Sequence, residues 1–129
     1  PQTVTPDTPV QEAARLMQSA DTGVLPVVEQ GSKRPVGVIT DRDLALRVVA
    51  EGKTSARVAD AMSPSVRTAR EDDDLKNVMS LMAEEQVRRV PIVDERGELV
   101  GIVSQADIVL EGDDKRAEKT IEQISQPNR

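Results

Sequence analysis

The chain carries the same pattern twice, and that duplication constrains its fold more than any other feature. "LPVVEQ" at residues 25–30 returns as "VPIVDE" at 90–95, which sets Pro26 and Pro91 65 positions apart. Leu16-Met17 and Leu81-Met82 keep the offset of 65, whereas Gly37 and Gly101 are offset by 64. The missing residue falls in a turn, "QGSKRP" against "ERGE", where a length change costs least. Independent matches in constant register mark a duplicated supersecondary unit. At 129 residues the chain has the size of one compact domain, while a half of ~60 residues is marginal alone.

Each copy reads alike. Thr8-Pro9-Val10-Gln11 has the pattern of a helix start, with Thr at the cap and Pro at the first helical position. Val10, Ala13, Ala14 and Met17 then recur at helical spacing, and Leu75, Val78, Met79 and Met82 repeat that face. "GVLPVVEQ" and "RPVGVIT" read as two strands joined by a glycine-containing turn, and "DLALRVVAEG" as a second helix stopped by Gly52. Short extended pieces, "QTV" and "VRT", precede the first helices. The unit is therefore β-α-β-β-α, twice, and the fold class α+β. The first motif spans residues 1–56 and the second 57–129, the latter ending in a helical tail. "SARVADAMSP" reads as a capped helical turn closed by Pro64, echoed by "TIEQISQP" near the end. The repeat predicts a similar segment ahead of Pro1, so an upstream start is expected. "EGDDKR" (111–116) reads as a charged connector, and Asp72-Asp73-Asp74 as a helix opening whose charge suits the macrodipole.

Composition narrows the chemistry. There is no Phe, Tyr or Trp, so the core must be aliphatic, and no ligand ring can stack on an aromatic side chain. A net charge of -6 argues against a nucleic-acid partner or an anionic membrane. With neither Cys nor His, a Cys/His zinc site, a disulfide and a Ser-His or Cys-His catalytic pair are all excluded. No apolar run approaches the roughly 18 residues of a membrane span, and no signal peptide opens the chain, so a cytoplasmic location is expected.

One further pattern repeats. "GVITDRDL" (37–44) and "GIVSQADI" (101–108) each place a hydroxyl at a strand end and a carboxylate three residues on. Thr40 with Asp43, and Ser104 with Asp107, fit a capping box, which accounts for the helix starts without any ligand. The same groups also fit a ligand. A strand-to-helix junction favours an anion, a carboxylate there can accept ribose hydroxyls, and Arg42 lies inside the first box.

The doubled β-α-β-β-α unit, the "LPVV"/"VPIV" strands and the "GVITDRD"/"GIVSQAD" ends resemble a tandem pair of CBS motifs, a Bateman module, across essentially the whole chain. The chain is similar to small stand-alone bacterial proteins of that family. The resemblance implies two units packed through their sheets about a pseudo-twofold axis, leaving two clefts that commonly take adenine nucleotides. AMP, ADP or ATP would be the ligand class, with S-adenosylmethionine or NAD as other adenosyl ligands and no metal. Carried onto this chain, Asp43 and Asp107 resemble the ribose-binding carboxylates, and Thr40 and Ser104 the hydroxyls beside ribose or phosphate. Basic residues just before the proline strand often hold phosphate in such modules. Arg88 and Arg89 stand there in the second unit, but Gly23 and Val24 stand there in the first.

Three functions are weighed. The first is a non-catalytic sensor of an adenosyl ligand, assembled as a homodimer through helices whose apolar faces extend to Leu16 and Leu81. The second is a ligand-free dimerisation or protein-interaction module in which the boxes are only caps. The third, an enzyme with the "DRD" (41–43) carboxylates as a metal-binding pair, lacks any His, Cys or Tyr as acid or base.

Overall fold

The computed structural model describes residues 2–64 and 67–106, which form two units with one core each. In the first, helix α1 (Val10–Ala20) buries Val10, Ala13 and Met17, while Ala14 turns to solvent. The buried stripe is thus narrower than the sequence suggests. Its cap is Pro9 rather than Thr8, with no side-chain bond. The Thr8 hydroxyl accepts the Thr5 N–H at 3.0 Å instead. The Val10 N–H donates to the Ala56 carbonyl at 3.1 Å, so a tertiary contact satisfies a donor that a local cap would otherwise serve.

Strands β1 (Val24–Val28) and β2 (Pro35–Thr40) form an antiparallel hairpin. All of β1 is buried, as its unbroken apolar run implies. "QTV" contributes a single parallel bridge, Val4 to Val27, held by the Val4 N–H on Pro26 O at 3.1 Å and the Val28 N–H on Val4 O at 2.8 Å.

After β2 the chain turns into α2 (Asp41–Asp43), which widens at once into a π-helical stretch, Leu44–Val49. The widening shows in the Ala50 N–H donating to Ala45 O and the Lys53 N–H to Val48 O, both at 2.9 Å. Leu44 and Val48 enter the core, while Leu46 and Val49 are 50% and 70% exposed. Helix α3 (Val58–Ala61) and strand β3 (Ser63–Pro64) complete this unit. Val58 and Ala61 are fully buried in its core, and β3 pairs with β2. Residues 57–64, which the sequence repeat counts with the second motif, therefore lie in the first unit. Gly37 permits the pairing: a Cβ there would sit 2.6 Å from the Ser63 carbonyl oxygen. Pro64, unable to donate, occupies the edge.

The second unit repeats the plan. Strand β4 (Ala69–Arg70) runs parallel to β5 (Arg89–Val93), with Ala69 opposite Ile92, as Val4 lies opposite Val27. The extended piece expected at "VRT" thus falls at Ala69–Arg70. Helix α4 (Leu75–Glu85) starts after Asp74 without a side-chain cap, and Asp73 accepts the Arg70 N–H at 2.8 Å. Val78 and Met82 are buried, but Met79, expected on the same face, is 52% exposed. Strand β6 (Leu99–Ser104) pairs antiparallel with β5. The register shifts after Ile92 in this hairpin and after Val27 in the first. A bulge has been duplicated along with the sequence.

Both cores are aliphatic, as composition requires. Leu25, Val27 and Ile39 in one and Ile92, Val90 and Val103 in the other are essentially fully buried; each is worth about 1.5–3 kcal/mol of transfer free energy. Among the described residues no helix is long and apolar enough to cross a membrane. "EGDDKR" and "TIEQISQP" lie outside the described residues.

Candidate functional site at the strand-to-helix junctions

The junction after β2 is a complete capping box. The Asp43 N–H donates to Thr40 Oγ1 at 3.1 Å, and the Thr40 N–H donates to Asp43 Oδ2 at 2.9 Å. Thr40 takes the extended conformation (φ -117°, ψ 164°) that a cap requires. The box leaves chemistry over. Asp43 Oδ1 lies 3.9 Å from Arg47 Nε, a loose ion pair, and the carboxylate is 14% exposed. A carboxylate offers about four acceptor positions and a hydroxyl can donate while it accepts. Thr40 and Asp43 can therefore meet a sugar diol without breaking the cap. Arg42 is exposed beside them, its own N–H held by Asp41 Oδ1 at 2.8 Å.

In the second unit Arg89 and Ser104 are cross-strand partners at the end of the β5–β6 hairpin, both half-buried. Arg88 is exposed just ahead of β5, and its carbonyl accepts the Gln105 N–H at 2.7 Å. Arg88, Arg89 and Ser104 thus gather at one strand end, as Thr40, Arg42 and Asp43 do in the first unit. Asp107 lies outside the described residues.

Two features of the first junction escaped the sequence reading, the tie made by Arg47 and the seat of Asp41 on Gly23. Arg47 approaches Asp43 and donates from Nη1 to the carbonyls of Ala61 and Met62 at 3.2 and 3.3 Å. It ties the box to the end of α3. The acid-then-base spacing of four residues was the available signal. Asp41 sits against Gly23, and nothing in the sequence pairs those positions.

A separate depression of about 340 Å³ lies beside β4 and β5, lined by Arg70, Glu71, Asp72, Val93, Asp94 and Glu95. It contains none of the junction residues. Among the described residues no group of three carboxylates could hold a metal, and the Asp72-Asp73-Asp74 run is no exception.

Two duplicated α+β units, each ending a hairpin in a hydroxyl at a helix start, define a tandem two-unit module. The CBS domain family model matches residues 1–50 and 58–113, and the chain belongs to the CBS domain family. It is 42% identical over 109 residues to the CBS domain-containing protein YhcV of Bacillus subtilis, covering 84% of this chain and 76% of that protein. Among solved structures, the CBS domain pair of protein MJ0100 in complex with 5'-methylthioadenosine and S-adenosyl-L-methionine is similar at a TM-score of 0.74 and 30% identity. That likeness covers 89% of this chain and 92% of the other. CBSX2 in complex with AMP is similar at a TM-score of 0.73 and 26% identity, covering 90% of each chain.

Proposed function

We propose that this chain is a non-catalytic, cytoplasmic regulatory module that senses an adenine nucleotide of the AMP, ADP or ATP class. In this reading Thr40 and Asp43 hold the ribose. Arg42, Arg88 and Arg89 supply positive charge for phosphate. Ser104, with Asp107, forms the second hydroxyl-carboxylate pair. S-adenosylmethionine and NAD present the same ribose and remain within the ligand class. The supporting observation is the geometry of the Thr40–Asp43 box, whose polar groups keep unused capacity after capping the helix. The ligands held by the CBS pairs of MJ0100 and CBSX2 support the adenosyl class. Adenine would rest between aliphatic side chains, since the chain has no aromatic residue.

The test is thermal unfolding followed by far-UV circular dichroism, which suits a chain without Trp or Tyr. A ligand at a hundredfold excess over its dissociation constant adds about 2.7 kcal/mol of stability. A rise in midpoint with one of AMP, ADP, ATP, NAD or S-adenosylmethionine is expected, and none with any of them removes the proposal.

The other reading is a ligand-free dimerisation module. It is favoured by the exposure of Leu46 and Val49 on the π-helical stretch, and by the completeness of the box as a cap. A dimer whose stability ignores the whole ligand series would support it.

A further inference from the structure

The two junctions share a backbone bond but differ in charge around it. The Asp41 N–H donates to Gly23 O at 2.9 Å, and the Gln105 N–H donates to Arg88 O at 2.7 Å. Positions 23 and 88, like 41 and 105, are therefore equivalent in space as well as in the repeat. In the first unit the residue at the strand start has no side chain, and the Asp41 carboxylate fills the gap. Asp41 Oδ2 would be 2.8 Å from a Cβ built on Gly23. Its Oδ1 is fixed by the Arg42 N–H at 2.8 Å. In the second unit the equivalent carboxylate is replaced by an uncharged Gln, and the strand start carries a cation. One copy places an anion where the other places an arginine.

We infer that Asp41, seated on Gly23, is a charge-selecting residue that makes the Thr40–Asp43 junction favour adenosyl ligands with few or no phosphate groups. This rests on the adenosyl reading above and goes beyond it by naming which members of the class the first junction prefers. Helix capping does not account for the placement, because Thr40 and Asp43 already complete the box and Gln105 serves the equivalent position without charge. Asp41 opposes Arg42 beside it, leaving the pair neutral. The fixed Asp41 carboxylate thereby cancels the attraction that Arg42 would offer each added phosphate charge. The penalty therefore grows from adenosine through AMP to ATP and weakens with salt.

The experiment is calorimetric titration of the full chain and of Asp41→Asn with adenosine, AMP and ATP at low and high ionic strength. Asn keeps the N–H for Gly23 O and an acceptor for the Arg42 N–H, so the turn is preserved while the charge is removed. The affinity gain on substitution is expected to rise along the series, about two- to tenfold for AMP and more for ATP at low salt. Gly23→Ala, which pushes the carboxylate off its seat, is expected to move the ATP-to-adenosine ratio in the same direction. If the wild type binds adenosine and neither variant shifts that ratio, the charge-selection role is overturned and the adenosyl reading stands. If the wild type binds none of the three, the charge-selection role is overturned, and the adenosyl reading falls with it only if S-adenosylmethionine and NAD also fail to bind.

Discussion

Replacing Asp43 with Asn separates its two duties. As a cap, Asp43 accepts one bond, from the Thr40 N–H at 2.9 Å. An amide oxygen can accept that bond equally, and the reciprocal bond to Thr40 Oγ1 comes from the backbone N–H of residue 43, which the substitution leaves in place. Unliganded stability should therefore fall by less than the ~1 kcal/mol typical of losing a cap. The weak Arg47 contact at 3.9 Å adds little, since Arg47 is half-exposed and keeps its carbonyl bonds to Ala61 and Met62. As a ribose ligand, Asn loses the charge and one of two acceptor oxygens. Hydrogen bonds to charged groups are worth about 1.5–3 kcal/mol, so affinity should drop roughly tenfold to a hundredfold. Calorimetry with AMP measures the affinity, and urea unfolding followed by circular dichroism measures the stability. Equal AMP affinity in wild type and Asp43→Asn would show that the carboxylate only caps the helix.

Arg89→Ala should weaken AMP binding more than adenosine binding in parallel titrations; equal losses would remove its phosphate role. Asp43→Ala should damage binding far more than Asp107→Ala, and the reverse ranking would place the better site in the second unit. Ile92→Ala, at a fully buried position, should cost about 2–5 kcal/mol in urea unfolding. Light scattering should give twice the 14.0 kDa chain mass, and Val49→Asp should halve it; a wild-type monomer at tens of micromolar would refute the homodimer. The Asp94 carboxyl titrates below the ordinary aspartate range, chiefly because the Glu98 N–H donates to it, with help from the Arg96 N–H and the Arg96 and Arg70 charges against opposing desolvation. Since its folded pKa is depressed, its stabilisation is present above the unfolded value near 3.8 and is lost as pH falls through the folded one. Asp94→Asn should therefore lose less stability than wild type on acidification below about pH 4, as read by urea unfolding at each pH.

The duplication made most of the fold legible. Constant register between the copies carried the two hairpins, whereas the second extended piece, read at "VRT", pairs instead at Ala69–Arg70. Local patterns were less reliable where tertiary contacts took over. Thr8 lost its capping role because Ala56 satisfied the Val10 N–H, and Ala14 and Met79 fell off the buried stripe. The π-helical widening after Asp43 has no signature in periodicity, since Leu44 and Val48 keep an ordinary four-residue spacing. The Thr40–Asp43 box was legible because capping is a local rule. Asp41 was not, because its seat depends on a glycine eighteen residues away whose missing side chain matters only in three dimensions.

In the proposed function an adenosyl ligand occupies the Thr40–Asp43 junction. The amide protons of Thr40 and Asp43 report on it directly, because each donates to the other residue's side chain. Nuclear magnetic resonance titration of the isotope-labelled protein with AMP should shift both amides along one saturable curve, together with that of Arg42. Saturable shifts confined to other residues, or none at millimolar AMP, would contradict the claim.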